Sequence, residues 1–242
     1  MNRWQASLTN ELQILLYRRK IMLLFLLISL LPVVFTLISN AIGSIIDLHT
    51  ITLSFVMPFL LPCYIFMIAT ELFVSEIETG TIKLALTRPI ARWKIYTSKI
   101  IVASIVIFAL LLTIWFMSFL MNLFGYNTWS AKGLIEELVI YVVTFFPMFV
   151  LFMLSVWIGQ MVHSITGSMV ISLLLYALFK VVPIFIPLLG NFLFTNYMDW
   201  YTLWVNNPLP WSQLFSIASM FLASGAIFGV VGLFLFEQKE IN

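Results

Sequence analysis

Six apolar runs, at residues 21–46, 51–74, 100–123, 138–160, 165–182 and 211–236, leave this chain few folds to choose from. Each approaches or exceeds the roughly 20 residues that a helix needs to cross the hydrocarbon layer of a bilayer. A segment in lipid must satisfy every backbone N–H and C=O within the protein, which restricts spanning structures to helices and closed barrels. Barrel strands would show short alternating segments, and none are present. The fold expected is therefore an all-α membrane protein with six transmembrane helices, forming a single transmembrane domain over residues 1–242. Composition excludes a soluble alternative: 9% of residues are charged and mean hydropathy is +1.09, where ordinary soluble chains carry about 25% charged residues.

The charges that remain are unevenly placed. Residues 75–99 read SEIETGTIKLALTRPIARWKIYTSK and hold Glu76, Glu78, Lys83, Arg88, Arg92, Lys94 and Lys99 between two apolar runs. With both termini on that side, Arg3, Arg18, Arg19, Lys20 and Lys239 join the five cations of the segment, leaving Lys132 and Lys180 for the other side. Cations favour the cytoplasmic side, so this count predicts a multi-pass protein with both termini in the cytoplasm. Residues 75–87 are expected to form a short helix with Glu76 and Glu78 near its N-terminus, where carboxylates favour the helix dipole. Ile77, Thr81, Leu84 and Ala85 would share one face, with Lys83 and Arg88 turned towards solvent or a partner. Pro89 disfavours a helical Arg88 and ends the element.

The order Glu76, Gly80-Thr81, a Leu-rich turn, Pro89-Ile90, Arg92 and Lys99 resembles the first intracellular loop of the ABC type-2 exporter permeases. Members of that family often carry a basic residue between the two carboxylates and a hydroxyl residue before the arginine; here Ile77 and Ala91 stand there. The resemblance implies that residues 75–99 are a coupling helix docking on an ATP-binding subunit. Glu76, Glu78, Gly80, Thr81, Lys83, Arg88, Pro89 and Arg92 are the expected docking residues. Gly80 is singled out because a residue without a side chain lets a partner approach the backbone closely.

The rest of the chain fits that layout. Residues 1–20 place Trp4, Leu8, Leu12 and Leu15 at helical spacing opposite polar positions that include Glu11, the pattern of a helix lying in the headgroup region. Pro32 is expected to bend the first span. Pro58 and Pro62, on one face of the second, free backbone carbonyls that neighbouring helices or water must satisfy. Glu71 closes that span, either as an interfacial anchor or as a functional carboxylate. Pro147 lies in the fourth span, and Lys180 near the end of the fifth can snorkel to the interface. Residues 183–210, broken by Pro183, Pro187 and Gly190 and then rich in Trp, Tyr and Asn, are expected to form a re-entrant or extracellular hairpin held at headgroup level. Gly225 and Gly229 give the sixth span a G-x-x-x-G spacing suited to close packing within the chain.

Several chemistries lack their residues. No glycine-rich phosphate loop with a following Lys and Ser/Thr occurs, nor a His-Glu-x-x-His pattern. Cys63 is the one cysteine. His49 and His163 fall on opposite sides of the predicted membrane, so no metal site and no catalytic residue are expected. The first twenty residues lack a cleavable signal. The spans hold few of the ionisable groups on which ion-coupled carriers depend.

The resulting expectation is the transmembrane subunit of an ATP-driven exporter, not itself an enzyme and binding no cofactor, with ATP and Mg on its partner. Its partners would be two ATP-binding cassette subunits, a second copy of itself or a related permease, and membrane lipid, with no nucleic acid. Its place would be a bacterial plasma membrane. Spans rich in Phe, Leu, Ile and Met suit an amphipathic or hydrophobic cargo: a peptide toxin, peptide antibiotic or lipid-like compound. The alternative is a non-transporting assembly, immunity or sensor protein that binds a soluble partner or anionic headgroups through the same basic loop.

Overall fold

A computed structural model describes residues 3–42, 48–80, 91–124, 131–204 and 209–238. Six helices are long and apolar enough to cross a membrane: Arg19–Ser39, Ile51–Glu78, Arg92–Leu123, Leu134–Met161, Ile165–Phe185 and Trp211–Glu237. The protein is an all-α, multi-pass membrane protein, and no strand forms among the described residues. The second and fourth spans make the centre of the bundle, 61% and 67% buried, whereas the fifth and sixth are only 17% buried and turn most of their surface outward.

Before the first span, helix α1 (Arg3–Tyr17) is amphipathic, as its pattern requires. Leu15 is fully buried and Leu8 and Leu12 pack on the core, while Leu16 and Tyr17 stay exposed. Arg18 adopts an extended backbone and breaks the helix, so the chain turns into α2 (Arg19–Ser29). A second break at Leu30 starts α3 (Leu31–Ile42), in which Pro32 stands at the second position. This is the bend expected there: proline is tolerated in a first helical turn, where its missing N–H has no intrahelical carbonyl to reach.

The second span is irregular by construction. Two single π-helical turns, Val56–Leu60 and Thr70–Val74, interrupt its α-helix. Its final turn, Ser75–Glu78, continues the same helix. The separate short helix expected from residue 75 is thus corrected at its start: Ser75–Glu78 is the end of the second span. Thr79 and Gly80 close it with two backbone bonds, and Gly80 takes φ +70, the left-handed conformation that suits glycine at a helix C-terminus. Residues 81–90 lie outside the described residues, and with them the expected positions of Thr81, Lys83, Arg88 and Pro89.

The prolines inside the spans explain much of the remaining architecture. A proline within a helix has no N–H for the carbonyl four residues earlier, and in lipid that carbonyl needs another donor. Pro62 frees the carbonyl of Pro58, which accepts from the Tyr176 hydroxyl on the fifth span at 2.8 Å. Pro147 frees that of Val143, which accepts from the Trp200 indole N–H at 3.2 Å. Pro183 frees that of Phe179, which accepts from the Thr195 hydroxyl at 3.2 Å. Thr195 and Trp200 both belong to the segment Phe194–Trp204, two 3-10 pieces joined by a kink at Tyr197 and Asp199, and Tyr176 also lies 3.5 Å from Met198 of that segment. The segment between the last two spans is therefore fixed to the bundle by the carbonyls that the prolines release. The fifth helix itself runs through Pro183 to Phe185, so the break expected at 183 falls at Ile186, followed by the short turn Pro187–Gly190.

The sixth span packs along the fourth, and its glycines are spent within the chain. A Cβ at Gly225 would meet Val150 at 3.6 Å and one at Gly229 would meet Met153 at 3.9 Å. Tyr96 of the third span donates its hydroxyl to the carbonyl of Gly229 at 3.1 Å. The tightest approach is one residue the G-x-x-x-G spacing does not include: a Cβ at Gly232 would stand 2.6 Å from the Tyr96 hydroxyl.

Candidate functional site

The charged end of the bundle is built around Lys99. This residue begins the apolar part of the third span, where an unpaired ammonium would be costly, and its side chain is 1% exposed. Its three donors all find acceptors: Glu11 Oε2 at 2.9 Å, Glu76 Oε1 at 2.7 Å and the Leu72 carbonyl at 2.9 Å. The Phe73 ring lies 5.9 Å from the same ammonium and covers it. One cation thus joins three elements: α1 through Glu11, the end of the second span through Leu72 and Glu76, and the third span to which it belongs. Glu11 is as enclosed as Lys99, at 6% side-chain exposure, whereas Glu76 keeps 21% and reaches the surface.

Neighbouring contacts extend the junction. Arg18, at the break between α1 and the first span, lies 3.3 Å from Glu71, though without the geometry of a hydrogen bond. Glu71, within the π-helical turn Thr70–Val74 of the second span, therefore pairs with the residue that joins the interfacial helix to the first span. Glu78 accepts the backbone N–H of Ile165, the first residue of the fifth span, at 2.9 Å. The first N–H groups of a helix have no partner within it, and a carboxylate there also suits the helix dipole. Ser164 caps the same terminus from its own side chain. Arg92, opening the third span, donates to the carbonyl of Glu237 at the end of the sixth, at 2.6 Å.

Of the residues singled out from the sequence, Glu76, Glu78 and Arg92 therefore face other parts of the same chain. Each holds a different element: Glu76 the third span, Glu78 the fifth, Arg92 the sixth. Gly80 ends the helical turn, and none of the described residues comes within 4 Å of where a Cβ would be. Its positive φ is a reason for glycine independent of close approach. Sequence reasoning passed over Lys99 and Glu11 as members of the site. The available signal was weak: a lysine beside the start of an apolar run, and one carboxylate on a helix whose other polar residues are mostly uncharged. Among the described residues no group of His, Cys, Asp and Glu gathers in a way that could hold a metal.

Among the described residues the arrangement is a set of polar contacts that joins helices to one another. Glu76, Glu78 and Arg92 make direct polar contacts with the third, fifth and sixth spans, and α1 joins them through the Lys99–Glu11 pair. The comparison with known families agrees with a transport role for such a bundle. Residues 5–241 match the model of the ABC-2 family transporter proteins, which covers nearly the whole chain. No curated protein matches it.

Proposed function

Since the chain belongs to the ABC-2 transporter family, we propose that it is the membrane subunit of an ATP-driven exporter and that residues 75–92 receive the motion of a separate ATP-binding cassette subunit. The observation that carries this reading is the set of contacts made by that segment. Glu76, Glu78 and Arg92 make polar contacts with the third, fifth and sixth spans. A push on these residues therefore reaches three spans through direct contacts. Gly80 leaves a bare backbone at the outermost turn, where a docking cleft could close over it.

The working unit in this reading contains two such membrane subunits, identical or related, and two ATP-binding subunits that hold ATP and Mg. ATP-driven closure of the soluble pair moves the segment, and the spans rearrange to open a route away from it. The apolar character of the spans favours an amphipathic or hydrophobic cargo, such as a peptide toxin, a peptide antibiotic or a lipid-like compound. The exposed Thr79–Gly80 turn and the docking segment that follows it supply the contact with the partner.

The test is co-purification of the tagged chain from its native membrane in mild detergent. A soluble ATP-binding cassette subunit is expected in stoichiometric amount with the wild type. It is expected to be lost with Gly80→Trp and kept with Gly80→Asn, since asparagine tolerates the left-handed backbone while adding little bulk. If a folded wild-type chain brings down no such subunit, the exporter reading fails and the non-transporting alternative replaces it.

A further inference from the structure

The second span carries two π-helical turns, and only one of them has a covalent cause. Val56–Leu60 contains Pro58, and Pro62 stands just beyond it. Thr70–Val74 holds no proline, and Pro62 lies more than two helical turns before it. A single π-turn inside an α-helix is rare, and such turns occur frequently at functional sites. Side chains hold this one open. The Ser75 N–H reaches the Thr70 carbonyl five residues back, and so leaves the Glu71 carbonyl four residues back. The Ser75 hydroxyl donates to the Glu71 carbonyl in its place. Lys99 donates to the next carbonyl, that of Leu72, at 2.9 Å. At the start of the turn the Thr70 hydroxyl reaches the Phe66 and Met67 carbonyls at 2.9 and 3.0 Å.

The surroundings differ on the two sides of the turn. Before it, Leu61–Ala69 is buried at every residue except Cys63, so that part of the span is fixed in the core. After it, Glu76 and Ile77 are half-buried and Glu78 to Gly80 are exposed. The fourth span makes room at the turn itself, since a Cβ at Gly159 would stand 2.9 Å from the Val74 side chain. Glu76 and Glu78, which contact the third and fifth spans, follow directly on the turn. Its hydrogen-bond pattern therefore sets the direction in which both carboxylates point.

We propose that Thr70–Val74 is the movable joint of the second span, and that Ser75 is the positioning residue whose hydroxyl holds it in the observed setting. Returning the Ser75 N–H to the Glu71 carbonyl makes the helix regular, which turns Ser75–Glu78 by ~100° and advances it by ~1.5 Å. Glu76 then leaves Lys99, and Glu78 leaves the start of the fifth span. The load that drives this change rests on the exporter reading, whereas the joint itself is read in the chain alone. In a Cys63→Ser background, spin labels are placed at Ile77→Cys and Met161→Cys, or at Ile77→Cys and Trp93→Cys, and distances are measured by pulsed electron paramagnetic resonance in nanodiscs. Met161 and Trp93 are both exposed. A ~100° turn at a helix radius of ~5 Å moves the Ile77 label by ~8 Å, enough to separate two settings. Ser75→Ala removes the hydroxyl on which the Glu71 carbonyl depends in the π-setting only, and is expected to raise the second population about fivefold. Ser75→Thr keeps the hydroxyl and is expected to restore the wild-type populations; a merely structural role for Ser75 would change stability and leave the distances alone. Deletion of Glu71 removes the extra residue and makes the Ser75–Thr70 bond an ordinary α-helical one, so a single distance is expected. Glu71→Ala, which loses only the pairing with Arg18, is expected to keep two. With a co-purified ATP-binding subunit held in its ATP-bound form, the second distance is expected to become the major one. Populations unchanged by Ser75→Ala would overturn the proposal, as would a second distance that survives the deletion. If no ATP-binding subunit co-purifies, the exporter reading fails by itself and the distances in the chain alone still decide the joint.

Discussion

Replacing Lys99 with methionine tests the charged junction most directly, because the side chain keeps its length and loses only its charge and donors. The wild-type ammonium compensates two carboxylates at 2.9 and 2.7 Å and one backbone carbonyl. Since both carboxylate oxygens contact the same nitrogen, they lie within ~6 Å of each other, where two bare charges repel by roughly 3 kcal/mol at an effective dielectric of 20. Glu76 can relieve part of this by turning to water, whereas Glu11, at 6% exposure, cannot without moving α1. Removing one partner of a buried ion pair commonly costs about 3–5 kcal/mol, and Lys99→Met is expected to fall in that range. The combination of Lys99→Met with Glu11→Gln and Glu76→Gln leaves no uncompensated charge. It is expected to recover more than half of the loss, as buried charge networks replaced together often do. The assay is reversible unfolding in mixed micelles of increasing denaturing detergent, followed by circular dichroism. If Lys99→Met unfolds within about 0.5 kcal/mol of the wild type, Lys99 does not hold the three elements together. If the triple variant is as unstable as the single one, uncompensated charge is not the cause of the loss.

Three further outcomes follow from other contacts. Gly232→Ala must push the Tyr96 ring away from a Cβ only 2.6 Å from its hydroxyl and break its bond to Gly229, so a loss of about 1–3 kcal/mol is expected in the same unfolding assay; Gly225→Ala, with ordinary 3.6 Å contact, is expected to change little. Trp200→Phe strands the Val143 carbonyl and is expected to cost about 1–3 kcal/mol, but less in a Pro147→Ala background, where the restored N–H supplies the missing donor; additive effects in that cycle would refute the assignment of Trp200 to the proline's carbonyl. Glu78→Gln removes the charge but not the acceptor at the start of the fifth span, so stability is expected to fall by no more than about 0.5 kcal/mol. Measured in vesicles with the ATP-binding subunit present, transport is expected to fall further with Glu78→Ala than with Glu78→Gln.

How much of this was legible in the sequence depended on the range of the interaction. The spans were legible because lipid imposes one rule on every residue of a segment, so twenty neighbours carry the same signal. The bend at Pro32, and the need for donors opposite Pro58 and Pro62, followed from proline's covalent structure. The identity of those donors did not: Tyr176 lies 118 positions from Pro58 and Trp200 lies 57 from Val143. Nothing in the local sequence of either aromatic marks it as the donor to a distant carbonyl. The partnership of Glu11 with Lys99 is likewise set by packing across 88 positions, and each residue alone reads as an ordinary interfacial charge. Gly80 shows the converse. The sequence marked it as a place of close approach, and the backbone adds a positive φ that would require glycine or asparagine with no partner in view.

The two ends of the bundle are held by interactions that respond differently to strain, and this bears on how such a chain can move. At the charged end, Glu78 and Arg92 are partly exposed, and each of their contacts can be exchanged for water or for a partner's side chain at small cost, whereas Glu76 is held by the buried Lys99. At the other end, the carbonyls of Pro58, Val143 and Phe179 lie within apolar surroundings where no water substitutes, so each bond lost leaves an unsatisfied group at about 1–3 kcal/mol. A load applied at residues 75–92 therefore rearranges the charged end first. The segment Phe194–Trp204, held to the fourth and fifth spans through Trp200 and Thr195, is expected to act as the pivot. Releasing that pivot by Trp200→Phe together with Thr195→Val is expected to loosen the far end while leaving the Lys99 contacts in place. Hydrogen exchange should then rise around residues 143 and 179 and not around residues 72–76. A rise at both ends would mean that the bundle yields as one body and that no pivot exists.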